Sequence, residues 1–425
     1  MARGGGRDAP FAAETRQAIE AVWRIESGQL IAVLSRLVGD VGVAEELAQD
    51  ALVAALEQWP ESGVPRNAGA WLTAVAKRRA IDGWRRKERL DDRYTQLAHD
   101  LEAELGTDDP ALAVEEPIDD DLLRLVFVSC HPVLTKPSRV ALTLKLLGGL
   151  STDEIARAFL VPSATIGQRI SRAKRTLSEA RVPFEVPERA EFPARLGSVL
   201  EVIYLIFNEG YSATAGEDWI RPSLCHEALR LGRVLAELTP QEPEVHGLVA
   251  LMEFQASRLG ARTAPSGEPV LLQDQDRARW DRILIGRGVR ALARSDRLAR
   301  GRGPYALQAA IASCHATAPS ADDTDWEQIV SLYGALAEVM PSAIVDLNRA
   351  VAVSMASGPQ AALDVVDGLV REGALSGYHL LPSVRADLLF RLGRTPEARQ
   401  EFENAAALTS NLRERALLLA RAADC

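Results

Sequence analysis

The sequence predicts an all-α protein: a helical bundle, then a helix-turn-helix module, then a C-terminal α-helical repeat region. Three observations predict it. Ala, Leu, Arg and Glu abound while aromatic residues make up 5% of the chain, a composition of strong helix formers. Apolar residues recur at helical spacing through long stretches, the period of an amphipathic helix. The stretch LSTDEIARAFLVPSATIGQRISRAKRTL at 150–177 starts, stops and restarts a helix within one short motif.

In that motif Ser151 followed by Glu154 is a capping-box start. Ile155, Ala156 and Phe159 follow at helical spacing, and Pro162 ends the first helix. Ser163 can cap the second helix. Ile166, Ile170, Ala173 and Leu177 make one apolar stripe there, so Thr165, Gln168, Arg169, Arg172 and Arg175 face outward. A second helix with polar and basic residues near its start suits the major groove. A helical hairpin with a solvated basic face would share the apolar period. The capping box, the short turn and the basic outer face together favour DNA.

At 425 residues the chain suggests two to four domains. A hydrophobic content of 47% with 25% charged residues is globular, and no apolar run is long enough to span a bilayer. The start MARGGGRDAPFAAE lacks the apolar core of a signal peptide, so a cytoplasmic protein is expected. A net charge of −10 argues against uniform nucleic-acid coating, so any DNA contact must come from local patches. Four cysteines in so long a chain do not make a disulfide framework.

Residues 12–59 read as helices broken at Gly39-Asp40. In the second, Leu47, Ala51, Leu52, Ala55 and Leu56 point inward, leaving Glu45, Glu46, Gln49, Asp50 and Glu57 on the other face. Pro60, Gly63 and Pro65 make a loop. The next helix carries Lys77, Arg78, Arg79, Arg85, Arg86, Lys87 and Arg89, interleaved with Trp71 and Trp84. Such a stripe suits phosphate contact with aromatic packing, and a solvated helix end is the plain alternative. From Asp100 to Asp121 there are many acids and no Lys or Arg, the signature of an extended linker. Cys130-His131, Cys225-His226 and Cys314-His315 are adjacent pairs. Neighbours diverge on a helix, so they read as structural thiols and no metal site is expected.

Residues 12–90 followed by 119–182 resemble the two modules of bacterial extracytoplasmic-function sigma factors, of the sigma-70 family. AEELAQDALVAALEQW, AWLTAVAKRRAIDGWRRK and the 150–177 motif carry the resemblance through their order and spacing. IYLIFNEGYSAT at 203–214 and the helical tail resemble the subfamily with a long C-terminal extension of tetratricopeptide-like repeats. The expected division is sigma region 2 at 12–90, an acidic linker at 91–118, sigma region 4 at 119–182, a helical domain at 185–290 and repeats at 291–425. Leu392-Gly393 followed by Glu397-Ala398 is the repeat cue. Gly167 departs from the family, where many relatives carry a longer side chain.

The resemblance implies a factor with no catalytic residue and no cofactor. Its partners would be core RNA polymerase, through the β′ coiled coil and the β flap, and promoter DNA. Glu45, Glu46, Gln49 and Asp50 would dock on the β′ coiled coil. The loop from Trp59 to Gly69 would hold a flipped −10 base, with Lys77, Arg78, Arg79, Trp84, Arg85 and Arg86 on the melting duplex. Ser163, Thr165, Gln168, Arg169, Arg172 and Arg175 would serve the −35 element. The linker would thread a basic channel toward the RNA exit. Stacked repeats offer a concave surface for a peptide, or act only as a brace. Two rivals stand beside this reading. One is a ligand-responsive helix-turn-helix regulator. The other is an enzyme in the C-terminal half, which shows no nucleophile, phosphate loop or metal spacing.

Overall fold

The computed structural model describes residues 8–87, 118–213, 215–216 and 219–425. It falls into two compact units, Met1–Val202 and Ile203–Cys425. Among the described residues no helix is long and apolar enough to cross a membrane. The linker residues 91–117 lie outside the described part.

The first unit opens with α1 (Asp8–Val38), α2 (Val41–Ser62) and α3 (Ala68–Lys87), packed pairwise. Gly39 at φ 70° turns the chain after α1. Asp40 then caps α2, its carboxylate accepting from Gly42 N at 2.7 Å and Val43 N at 3.0 Å. Ala44, Ala48, Ala51 and Ala55 are buried along α2, small enough to let Leu30, Ile31 and Leu34 of α1 close on them. The helix runs on through Pro60, where the sequence suggested a loop. A proline one turn from the C-terminus forfeits a single backbone bond. Trp59, 1% exposed, holds that turn by packing edge-on to Trp71 at 5.2 Å.

The same unit continues with α4 (Ile118–Ser129), α5 (Lys136–Leu146), α6 (Thr152–Phe159), α7 (Ser163–Glu179) and the first half of α8 (Phe192–Tyr211). It extends past residue 185, the domain start expected from sequence. Phe192 packs edge-on to Phe127, Arg195 donates to the Phe127 carbonyl at 3.0 Å, and Ser198 donates to the Cys130 carbonyl at 2.7 Å. Pro183 and Pro187 therefore precede, and Pro193 sits in the first turn of, a helix whose first half belongs to this core.

The second unit holds α9 (Pro222–Leu238), α10 (Pro243–Ala256), α11 (Arg282–Leu298), α12 (Pro304–Thr317), α13 (Trp326–Val339), α14 (Ala343–Ala356), α15 (Pro359–Arg371), α16 (Leu380–Arg391), α17 (Thr395–Leu408) and α18 (Leu412–Ala423). Each packs on its sequence neighbour, and α10 on α12 and α14 on α16 also meet. The expected division at 290–291 falls inside α11, so it is not a boundary. A two-residue parallel pairing, Ala215–Gly216 with Ser410–Asn411, ties the start of this unit to the turn before α18. Buried Asn411 donates to the Ala213 carbonyl at 3.0 Å.

Close approach explains two glycines. A Cβ on Gly210 would meet Cys225 N at 2.7 Å and the Arg221 carbonyl at 2.9 Å. The Phe207–Tyr211 stretch thus ends its helix against α9, and Glu209 pairs with Arg221. A Cβ on Gly247 would meet Ala306 N at 2.7 Å, so α10 and α12 touch backbone to backbone. The loop after α10 is pinned by a cation–aromatic stack. Arg262 lies over Tyr211 at 3.6 Å, Arg258 donates to the Tyr211 hydroxyl at 2.6 Å, and Arg277 lies over Trp280 at 4.7 Å. Arg277 also donates to the carbonyls of His315 and Ala318 at 2.6 and 2.8 Å.

Two outcomes follow from this packing. Gly247→Ala should destabilise the protein by about 1–3 kcal/mol, because backbone cannot yield as a side chain does; a thermal melt checks it. His315 is held neutral, its pKa lowered to about 4 from an ordinary 6.5 by burial, then by Arg258 and Arg277. The unfolded imidazole takes a proton below pH 6.5 and the folded one resists until about 4. Stability contributed here is therefore present above pH 6.5 and lost as pH falls through that window. Between pH 7 and pH 5, His315→Gln should remove about 2 kcal/mol of the acid-induced loss, measured by urea denaturation at both pH values.

Candidate nucleic-acid interface

The α6–α7 pair is built as a helix-turn-helix. Ser151 accepts from Glu154 N at 3.1 Å and Glu154 accepts from Ser151 N at 2.8 Å, the reciprocal capping box. Burial pulls the Glu154 carboxyl upward, but the Ser151 bonds and the Arg24 guanidinium outweigh it and leave it below its ordinary value. Leu160 takes the left-handed conformation, φ 51°, to end α6. Pro162 rather than Ser163 occupies the cap of α7, and Ser163 is its first helical residue, with no side-chain cap bond. The reason is that the Pro162 carbonyl already accepts from Thr165 N at 2.9 Å and starts the helix.

Ile166, Ile170, Ala173 and Leu177 are all buried, at 5% exposure or less. That stripe fixes the rotation of α7. Ser163, Gln168, Arg172 and Arg175 are exposed, and Thr165 and Arg169 are half-buried beside them. Arg175 lies 3.7 Å from Glu179, both well solvated. No acidic residue stands in the first turn of α7, so its free N–H groups suit phosphate.

On α3, Arg78 is exposed while Lys77 and Arg79 are half-buried. Arg79 lies 3.4 Å from Asp50 of α2, so one expected duplex contact and one expected docking acid face each other. Trp84, Arg85 and Arg86 fall on the last turns of α3, and their side chains lie outside the described part.

The acidic face of α2 divides. Glu46 and Asp50 are exposed and Gln49 is half-buried, but Glu45, placed on the outer face by its spacing, is only 4% exposed. Lys174 of α7 and Lys145 of α5, the latter at 3.6 Å, close on its carboxylate, and Gln49 donates to it. Sequence reasoning missed both lysines. The available signal was Lys145 inside the apolar run ALTLKLL and Lys174 directly after a buried stripe position.

Cys130 and Cys225 are buried free thiols, and Cys314 is half-buried. Cys225 points at the Phe207 carbonyl at 3.6 Å, and burial pushes its pKa up to about 12. Such thiols pack and hydrogen-bond rather than react.

Family models of sigma-70 region 2 and sigma-70 region 4 match residues 24–90 and 124–177. A family of unknown function, DUF6596, matches residues 195–296. An uncharacterised protein of Rhizobium meliloti strain 1021 is 44% identical over 404 residues, covering 92% of each chain. A probable ECF RNA polymerase sigma factor, SigI, of Mycobacterium tuberculosis strain H37Rv is 30% identical over 170 residues, 40% of this chain and 57% of that protein. No solved structure matches the chain. Two sigma-70 modules in this order, one with a basic helix and one with a helix-turn-helix, define a transcription initiation factor that works with core RNA polymerase on promoter DNA. The chain carries the region 2 and region 4 modules of the sigma-70 family, followed by a helical C-terminal extension.

At Gly167, where a Cβ would meet only Thr152 Cγ2 at 3.9 Å, the helix has room for a methyl group. Gly167→Ala should therefore stabilise α7 by about 1 kcal/mol, read as slower amide hydrogen exchange along that helix.

Proposed function

We propose that α7 reads the −35 element, that α3 and the loop at 63–67 engage the −10 element, and that α2 docks on the β′ coiled coil, with the region 4 module on the β flap. The observation that carries this is the rotation of α7. Its buried stripe and the capping box before it leave one row of polar and basic side chains facing outward on a rigid support. Gln168 suits adenine, and Arg169 and Arg172 suit guanine, in the major groove. Arg78 is the exposed cation of α3 and the best placed for a contact on the melting strand. The loop proposed to engage the −10 element is shorter than the Trp59–Gly69 stretch expected from sequence, since Trp59 is buried in α2 against Trp71 and only 63–67 is loop.

Glu46 and Asp50 are the solvent-facing acids of the docking helix. The linker at 91–117, rich in acids, fits a path along a basic channel. The protein makes and breaks no covalent bond of its own. Alternation of packed helix pairs in the second unit, with α14 meeting α16 across α15, supports a tetratricopeptide-like repeat that modulates the sigma modules and offers a peptide surface. A ligand-responsive repressor would need neither the region 2 module nor its acidic helix.

Initiation reconstituted with core polymerase and a promoter library tests this. Arg172→Ala in the full chain should lower preference at one −35 base by about 1–3 kcal/mol. A uniform loss over all sequences with a shallower salt dependence would mark a phosphate contact instead, and unchanged initiation would remove Arg172 from the interface.

A further inference from the structure

The loop between α10 and α11 carries three guanidinium groups, and among the described residues none has a carboxylate at ion-pair distance. Arg262 lies over the Tyr211 ring at 3.6 Å, and no N–H of its side chain has an acceptor there. Arg258 donates through Nη2 to the Tyr211 hydroxyl at 2.6 Å and to Gln255, and its Cζ stands 5.8 Å from the Trp280 centroid. Arg277 faces the same ring but is committed to the His315 and Ala318 carbonyls, and Asp323 acts on it only from a distance. The cations press on one another. Burial lowers the Arg258 pKa most, and the Arg262 charge lowers it further against the opposing pull of Tyr211. Other arginines of the second unit meet acids instead: Arg233 meets Glu253, and Arg385 meets Asp367 and Glu401.

A second observation falls on the same loop. Arg262 Nε, Thr263 Oγ1, Gln275 Oε1 and Trp280 Nε1 are buried and have no hydrogen-bond partner among the described residues. Trp280 is only 3% exposed, and its ring is the one that Arg258 and Arg277 both face. Two of these atoms are fixed N–H donors, and the threonine hydroxyl can turn to make a third. Ring faces make the positive charges tolerable, but they leave those N–H groups unpaired, which is costly in a buried place. An oxyanion would answer both needs at once.

We propose that Arg258, Arg262 and the Trp280 N–H hold a phosphoryl-type oxyanion, free or borne by a small molecule. Two cations without a counter-charge match a group of about −1.5 to −2 at neutral pH better than they match one carboxylate. The planar guanidinium fork suits its oxygens. Gln275 Oε1 would accept from a hydroxyl of the ligand. Bound there, the anion ties the end of α8 to the loop after α10 by ionic hydrogen bonds, and the stability of the second unit comes to depend on ligand concentration. Such a site acts independently of how the first unit meets polymerase or DNA.

Titration calorimetry on the full chain at constant ionic strength tests it, with inorganic phosphate, adenosine 5′-monophosphate and adenosine as probes. Saturable binding of phosphate is expected where the anion is free, and binding of the monophosphate alone where it is carried; either supports the site. No saturable binding of both up to about 10 mM overturns it. Adenosine binding as tightly as its monophosphate also overturns it. Arg262→Gln should weaken binding about tenfold or more, because charge-assisted bonds are lost, and unchanged affinity removes the anion from this loop. Should that variant not fold, Arg262→Lys keeps a stacked cation without the fork. It should bind about fivefold more weakly, whereas a purely structural brace leaves its affinity unchanged and overturns the proposal.

Discussion

A carboxylate taken out of water is costly unless charged partners and hydrogen bonds replace its hydration. Glu45 meets that condition only while α5 and α7 lie against α2, with Gln49 completing its shell. Much of the first unit is consistent with this one requirement. The alanines of α2 let α1 approach, which sets the helix at the depth where Glu45 reaches Lys174. Gly149, where a Cβ would meet Ser27 Oγ at 2.7 Å, lets α1 approach the turn after α5 closely. Asp121, itself buried, takes Arg36 from α1 and Arg124 from its own helix, so the same boundary carries a second satisfied charge. Buried ion pairs are weak sources of stability but demanding of geometry. Here they specify which faces of the two modules meet.

The second unit follows a different rule. Its helices bury apolar stripes against neighbours in sequence order, as in a stacked array. Where that alone would leave the ends loose, polar and aromatic contacts tie them. Asn411 reaches Ala213, and Arg277 gathers two carbonyls at the C-terminal end of α12. The Tyr211, Arg258 and Trp280 stack joins the end of α8 to the loop after α10. Cations stacked on ring faces need no carboxylate beside them to be tolerated.

For function, the consequence is a division of roles within α7. One side is a core stripe, a second is the outward row of polar and basic side chains proposed to face DNA, and Lys174, lying between them, faces α2. A single short helix thus ties the outward row to the disposition of region 2. The capping box and the left-handed Leu160 make its orientation rigid, so neither role can drift independently of the other.

The sequence by itself determined the helices, the helix-turn-helix with its capping box, the stripe of Ile166, Ile170, Ala173 and Leu177, and hence the outward row on α7. These are local: period, cap and turn act within a few residues, and the chain needs no distant partner to express them. The family was legible for the same reason, since its motifs are contiguous. Only the tertiary structure decided the fate of Glu45, the run of α2 through Pro60, the cap at Pro162 and the reach of the first unit to Val202. Helical spacing says that Glu45 lies off the Leu47 and Ala51 face; it cannot say that lysines about 100 and 130 positions later will cover it. Contacts between residues so far apart in sequence leave no period to read, because they depend on how whole helices pack.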